Sequence, residues 1–138
     1  MKEIKNKKQA SEFLGIPENE MLNFYKYNNG DWEYRDENKY YHLFRLINRE
    51  WIELTENVKA IYVLSFNNGD WGYADEYGCY HLFRKIGDEY IELTKNVRAL
   101  DVDSYDNGDW EYRDENCNWR KFNKNNKLIK KITHENSK

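Results

Sequence analysis

One proline, two cysteines and seven glycines stand among 138 residues, and no apolar run approaches the roughly 20 residues that a membrane-crossing helix needs. Each scarcity excludes something. Cys79 and Cys117 cannot build the disulfide framework of a small secreted domain, and they lack the paired C-x-x-C spacing of a structural zinc site, so free thiols are expected. The first eleven residues are charged and no apolar segment follows them; the chain is read as soluble and cytoplasmic, with no membrane partner. Serine is scarce, and a Gly-x-Ser-x-Gly elbow, a phosphate-cradling glycine loop and a repeat-matched Cys-His pair are all missing. The reading is therefore non-enzymatic and without a cofactor.

Aromatic residues are plentiful: five Trp, twelve Tyr and six Phe make up 17% of the chain. Disordered chains are poor in them, so one folded domain is expected, in which aromatic rings supply much of the buried area. The net charge of −3 is unevenly spread. Residues 1–119 carry −9, while from Arg120 onward seven Lys or Arg face a single acid.

The organising feature is a repeat. Asn29-Gly30-Asp31-Trp32 recurs as Asn68-Gly69-Asp70-Trp71 and as Asn107-Gly108-Asp109-Trp110, with 39 residues between copies. Residues 27–65 and 66–104 are identical at 24 of 39 positions, and residues 107–116 repeat residues 29–38 throughout. Within a copy, short alternating apolar runs are separated by Asn-Gly, by a turn near Glu76-Tyr77-Gly78 and by Gly87-Asp88, which predicts four strands. Asn-Gly between two runs suggests a type I′ hairpin turn. Three copies give about twelve short antiparallel strands in an all-β domain. The arithmetic fits a β-trefoil-like closed barrel, with an open β-meander as the alternative. The frame places an N-terminal helical cap at 1–20, repeats at 21–59 and 60–98, and a third repeat with a basic last strand and tail at 99–138. Alternation marks Leu22, Phe24, Ile61, Val63, Leu100 and Val102 in the first strands, and Ile52, Leu54, Ile91 and Leu93 in the fourth, as core candidates.

Two resemblances attach to particular segments. Asn68-Gly69-Asp70-Trp71-Gly72-Tyr73-Ala74-Asp75-Glu76-Tyr77-Gly78 resembles the unit of bacterial WG (KWG) repeat proteins. Glu33 and Glu111 replace the second glycine of that unit in the other copies. The resemblance implies an all-β repeat used for binding and carries over no catalytic residue. Residues 9–25 are similar to helix-turn-helix openings of the excisionase type, which would make 19–27 a recognition helix. The alternative is a capping helix, Lys5 to Leu14, stopped by Gly15.

The candidate binding residues follow from the repeat. Trp32 and Tyr34, Trp71 and Tyr73, and Trp110 and Tyr112 share a strand face, each pair beside Asp31, Asp70 or Asp109. They are either the core of an aromatic-rich fold or a three-fold set of anchors. Arg120, Lys121 and Lys124, with Lys127, Lys130 and Lys131, form a basic strand that either meets phosphates or stands as a solvated edge. No metal site is expected, because His42 and His81 find Arg120 at the third equivalent position and residues 101–109 lack the EF-hand ligand spacing. His134 has no obvious partner. The sequence thus points to a protein-binding module, of the kind an inhibitor, immunity or anti-defence protein uses to block a surface. A carbohydrate-binding trefoil with up to three sites and a nucleic-acid binder acting through the basic segment are the alternatives.

Overall fold

The computed structural model describes residues 3–132. The side chains of Lys130 and Lys131 and all of His134 lie outside that description. The chain divides into two compact units, residues 1–63 and residues 64–138.

In the first unit, α1 spans Lys7–Leu14. Asn6 caps it by accepting from the Gln9 amide, and Gly15, in the left-handed region at φ 70°, ends it as the sequence predicts. The following segment is no recognition helix. A single 3₁₀ turn, Glu18–Glu20, leads into β1, Leu22–Lys26, because the alternating Leu22-Asn23-Phe24-Tyr25 run pairs with a neighbouring strand. β2 (Trp32–Arg35), β3 (Tyr41–Ile47) and β4 (Glu50–Glu53) complete an antiparallel sheet in the order β1-β2-β3-β4. The helical segment covers the aromatic face of this sheet, where Ile4, Ala10, Leu14 and Ile16 pack with Trp32, Tyr34, Phe44 and Trp51. Lys26 Nζ fastens the approach to the helix, donating to the carbonyls of Ile4 at 2.6 Å and Gly30 at 3.1 Å.

The pattern recurs. β5 (Tyr62–Ser65), β6 (Trp71–Ala74), β7 (Tyr80–Ile86) and β8 (Glu89–Glu92) form the second sheet. β9 (Asp101–Ser104), β10 (Trp110–Arg113), β11 (Trp119–Phe122) and β12 (Leu128–Ile132) form the third. The Asn-Gly turns are not type I′. The Gly30 amide donates to the Tyr27 carbonyl and the Tyr27 amide to the Asp31 carbonyl, making a three-residue loop in which only Gly30, at φ 99°, is left-handed. This is a type I turn closed by a glycine bulge. Asn29 accepts from the Asp31 amide at 2.9 Å, and Asn68 and Asn107 repeat the bond. A type I′ turn occurs instead at Asn48-Arg49, both at positive φ between the paired Ile47 and Glu50.

Among the described residues there is no closed barrel, and the twelve strands form three separate sheets rather than one meander. Thr55 explains the break. Its hydroxyl accepts from the Leu43 amide on β3, and the Tyr41 amide donates to the Ala60 carbonyl, so the exit from β4 is turned back across β3. Thr94, Leu82, Tyr80 and Ala99 repeat the arrangement in the second sheet.

In the second unit, Trp110, Tyr112 and Phe122 of the third sheet pack with Leu64, Phe66, Tyr80, Leu82 and Leu93 of the second. The opposite face of the third sheet carries Asp103, Glu111, Arg113 and Lys121. Repeat-equivalent positions in the second sheet hold Leu64, Gly72, Ala74 and Leu82. Gly72 is confined there, since an added Cβ would lie 2.6 Å from the His81 carbonyl oxygen. Of the core candidates, Val63 and Val102 are buried, while Leu22, Ile52, Ile61 and Ile91 are exposed. First and fourth strands alike lie at sheet edges, so alternation marks a face there and burial follows only where that face is covered, as it is at Val63 and Val102.

Candidate functional site

The aromatic residues of each copy form a ladder across the two central strands. Trp32 stacks on Phe44 at 4.2 Å between ring centroids, and Tyr34 stacks on His42 at 4.8 Å. In the second sheet Trp71 meets Phe83 at 4.6 Å and Tyr73 meets His81 at 4.7 Å. In the third, Trp110 and Phe122 are 4.5 Å apart. The register sets these pairs, because Trp32 opposes Phe44 and Tyr34 opposes His42 on adjacent antiparallel strands. Trp32, Trp71 and Trp110 are 0%, 5% and 4% exposed, so each indole is core and none presents a flat platform to solvent. Tyr34 and Tyr112 are buried with them, and Tyr73 is half-buried.

The repeated aspartates split into two kinds. Asp31 and Asp70 are buried and take the guanidinium forks of Arg45 and Arg84, with Nη2 to Oδ2 distances of 2.8 Å in both. Asp109 is half-buried and lies 4.0 Å from Lys121 Nζ, because Asn123 stands where the arginine would be. Asp70 also accepts from the Ser104 hydroxyl at 2.6 Å. The basic residues are partly occupied. Arg120 donates to Asp114 at 3.0 Å, Lys121 sits 4.5 Å above the Tyr105 ring, and Lys124 is exposed.

A second constellation centres on the two histidines. The two ring nitrogens of His42 lie 2.7 Å from Asp36 and 2.7 Å from Glu53. Those of His81 lie 2.9 Å from Asp75 and 2.8 Å from Glu92. Asp36 belongs to the β2–β3 turn, where its other oxygen accepts from the Asn38 and Tyr40 amides. Glu53 belongs to β4 and also accepts from the Thr55 hydroxyl at 2.9 Å. Burial of the ring works against its charge, but the hydrogen bonds and charges of the two carboxylates outweigh it, holding the His42 and His81 pKa values above normal. Burial likewise opposes the Asp36 charge, and its bonds to His42 and to the turn amides pull the carboxyl below its ordinary value. Burial, with Glu53 and Asp36 nearby, pushes the Tyr34 phenol up to about 12. With a carboxylate against each nitrogen, neither ring nitrogen faces a metal or substrate. Among the described residues no group of three His, Cys, Asp or Glu is placed to hold a metal ion. The sequence signal was present: an acid six before and eleven after the histidine recurs in two copies, and in the third Arg120 replaces the histidine while β12 supplies no acid.

What faces solvent differs between copies. Tyr77, on the turn between β6 and β7, is 84% exposed. Asp75 fixes that turn by accepting from the Tyr77 and Cys79 amides at 2.9 and 3.0 Å, while its second oxygen holds His81. Asn38 and Asn116 occupy the equivalent positions. Val97 is also exposed, and Arg98 reaches Glu115 at 3.8 Å. Among the described residues no helix is long and apolar enough to cross a membrane. No family model matches the chain, and no curated protein matches it either.

Proposed function

We propose that this chain is a non-enzymatic protein-binding module whose contact surface is built on turns held rigid by the repeated Asp, His and Arg pairs. The observation that carries the reading is Tyr77, an aromatic side chain 84% exposed on a turn whose backbone is fixed by Asp75. A protruding tyrosine on a pre-ordered turn offers large contact area with little entropy to lose, the combination found at binding hot spots. The acidic body around it supplies charge for steering a basic partner, as suits an inhibitor, immunity or anti-defence protein that blocks a surface.

The original candidates Asp31 and Asp70 serve this surface only indirectly, since they are buried against arginines. The test belongs at the turns. A photo-crosslinking amino acid is placed at 77, 38 or 116 in the full chain expressed in its native host. A discrete protein adduct from position 77, and much less from 38 and 116, is expected. Equal labelling at all three positions, or no adduct from 77, overturns the assignment.

A further inference from the structure

We propose that His42 and His81 are held as imidazolium cations, and that each acts as a latch fastening a central turn to an edge strand and loosening in alkali. Three observations converge on this. The first is connectivity: Asp36 sits on the β2–β3 turn and Glu53 on the edge strand β4, and the His42 ring joins the two. His81 joins Asp75 to Glu92 of β8 in the same way. An ionised carboxylate only accepts hydrogen bonds, so a ring bonded to a carboxylate at each nitrogen must carry a proton on both.

The second observation is the third copy. Arg120, which keeps its charge at any working pH, occupies the histidine position and binds Asp114 of the same turn at 3.0 Å. Asp114 accepts from the Asn116 and Asn118 amides just as Asp36 accepts from Asn38 and Tyr40. The position therefore calls for a cation, and two chemically different residues meet the need.

The third is confinement. Tyr34 and Tyr73 stack on the two rings from β2 and β6, and Thr55 and Thr94 hold the glutamates from behind. The charged groups facing each ring are the turn aspartate and the edge-strand glutamate, and the stacked phenols are neutral. Loss of the proton leaves one N–H for two carboxylates and sets a nitrogen lone pair against an oxygen.

The sign of the pH effect follows. A histidine held above its ordinary 6.5 contributes stability that is complete below that value and disappears as pH rises through the higher folded value. Asp36 and Asp75, held below their ordinary 3.8, contribute above that value and lose the contribution as pH falls through the lower one. The latches are thus complete between about pH 4 and 6.5 and slacken on the alkaline side.

The test is an NMR titration of the ring protons and nitrogens in the full chain, with assignments from His42→Arg and His81→Arg. Both rings are expected to show the imidazolium nitrogen pattern at pH 6.5 and to titrate above 6.5. A midpoint at or below 6.5, or a neutral tautomer at that pH, overturns the proposal. The double variant, carrying the third copy's residue, is expected to lose several degrees less of melting temperature between pH 6 and pH 9 than the wild type. An equal loss in both proteins counts against the latch. The wild-type titration decides the matter even where the double variant does not fold.

Discussion

Asp31, Asp70 and Asp109 sit in the same Asn-Gly-Asp-Trp tetrapeptide, yet only the first two are buried against arginine. The difference lies 14 residues further on, at Arg45, Arg84 and Asn123, and becomes visible only once β2 and β3 are paired. Removing one member of a buried pair strands the other charge, whereas removing a loosely paired, half-exposed acid does not. Asp31→Ala or Asp70→Ala should therefore lower stability by about 3 kcal/mol in urea unfolding, and Asp109→Ala by less than about 1 kcal/mol. Similar costs at all three positions would mean that the forks contribute little. The tryptophans show the same dependence on distant partners. Trp110 Nε1 donates to Asn126, on the turn between β11 and β12, at 3.0 Å, while Trp32 and Trp71 Nε1 are buried with no acceptor among the described residues.

Elements were legible where their causes are local. The 39-residue period, the four strands per copy and the helix stopped by Gly15 rest on turn residues, a C-cap and alternation, all of which act within a few positions. The helix start, read at Lys5, falls at Lys7 behind the Asn6 cap. The turn type was not legible, because Asn-Gly suits both a two-residue type I′ loop and a three-residue loop ending in a glycine bulge, and strand register decides between them. Nor were the histidine latches, whose members come from a turn and two strands. Comparison between copies recovers part of this. Lys39, Gly78 and Cys117 share one turn position and are all left-handed, at φ 71°, 80° and 63°. A residue with a Cβ is strained there and glycine is not. Lys39→Gly should raise stability by about 0.5–1 kcal/mol, read as a higher melting temperature, since relief of strain exceeds the added chain entropy. An unchanged or lower melting temperature would show that the turn imposes no strain on Lys39.

At the scale of the molecule, residues shared by all copies build the sheets, and departures from the repeat show where one copy's surroundings differ from another's. Alternation could not show this, since both faces of the second sheet carry apolar or aromatic side chains and period two does not say which face meets what. It is the change from Leu64 and Leu82 to Asp103 and Lys121 that distinguishes a face packed against another sheet from a face that keeps its charge. Tyr77 follows the same logic at a turn. The most direct measurement is urea unfolding of two reciprocal variants at one repeat position, Leu82→Lys and Lys121→Leu. Leu82 is fully buried, and its replacement by a cation should cost more than about 3 kcal/mol. Lys121 is 31% exposed over Tyr105, so Lys121→Leu should change stability by less than about 1 kcal/mol. Comparable losses in the two variants would contradict the division between shared scaffold and divergent surface.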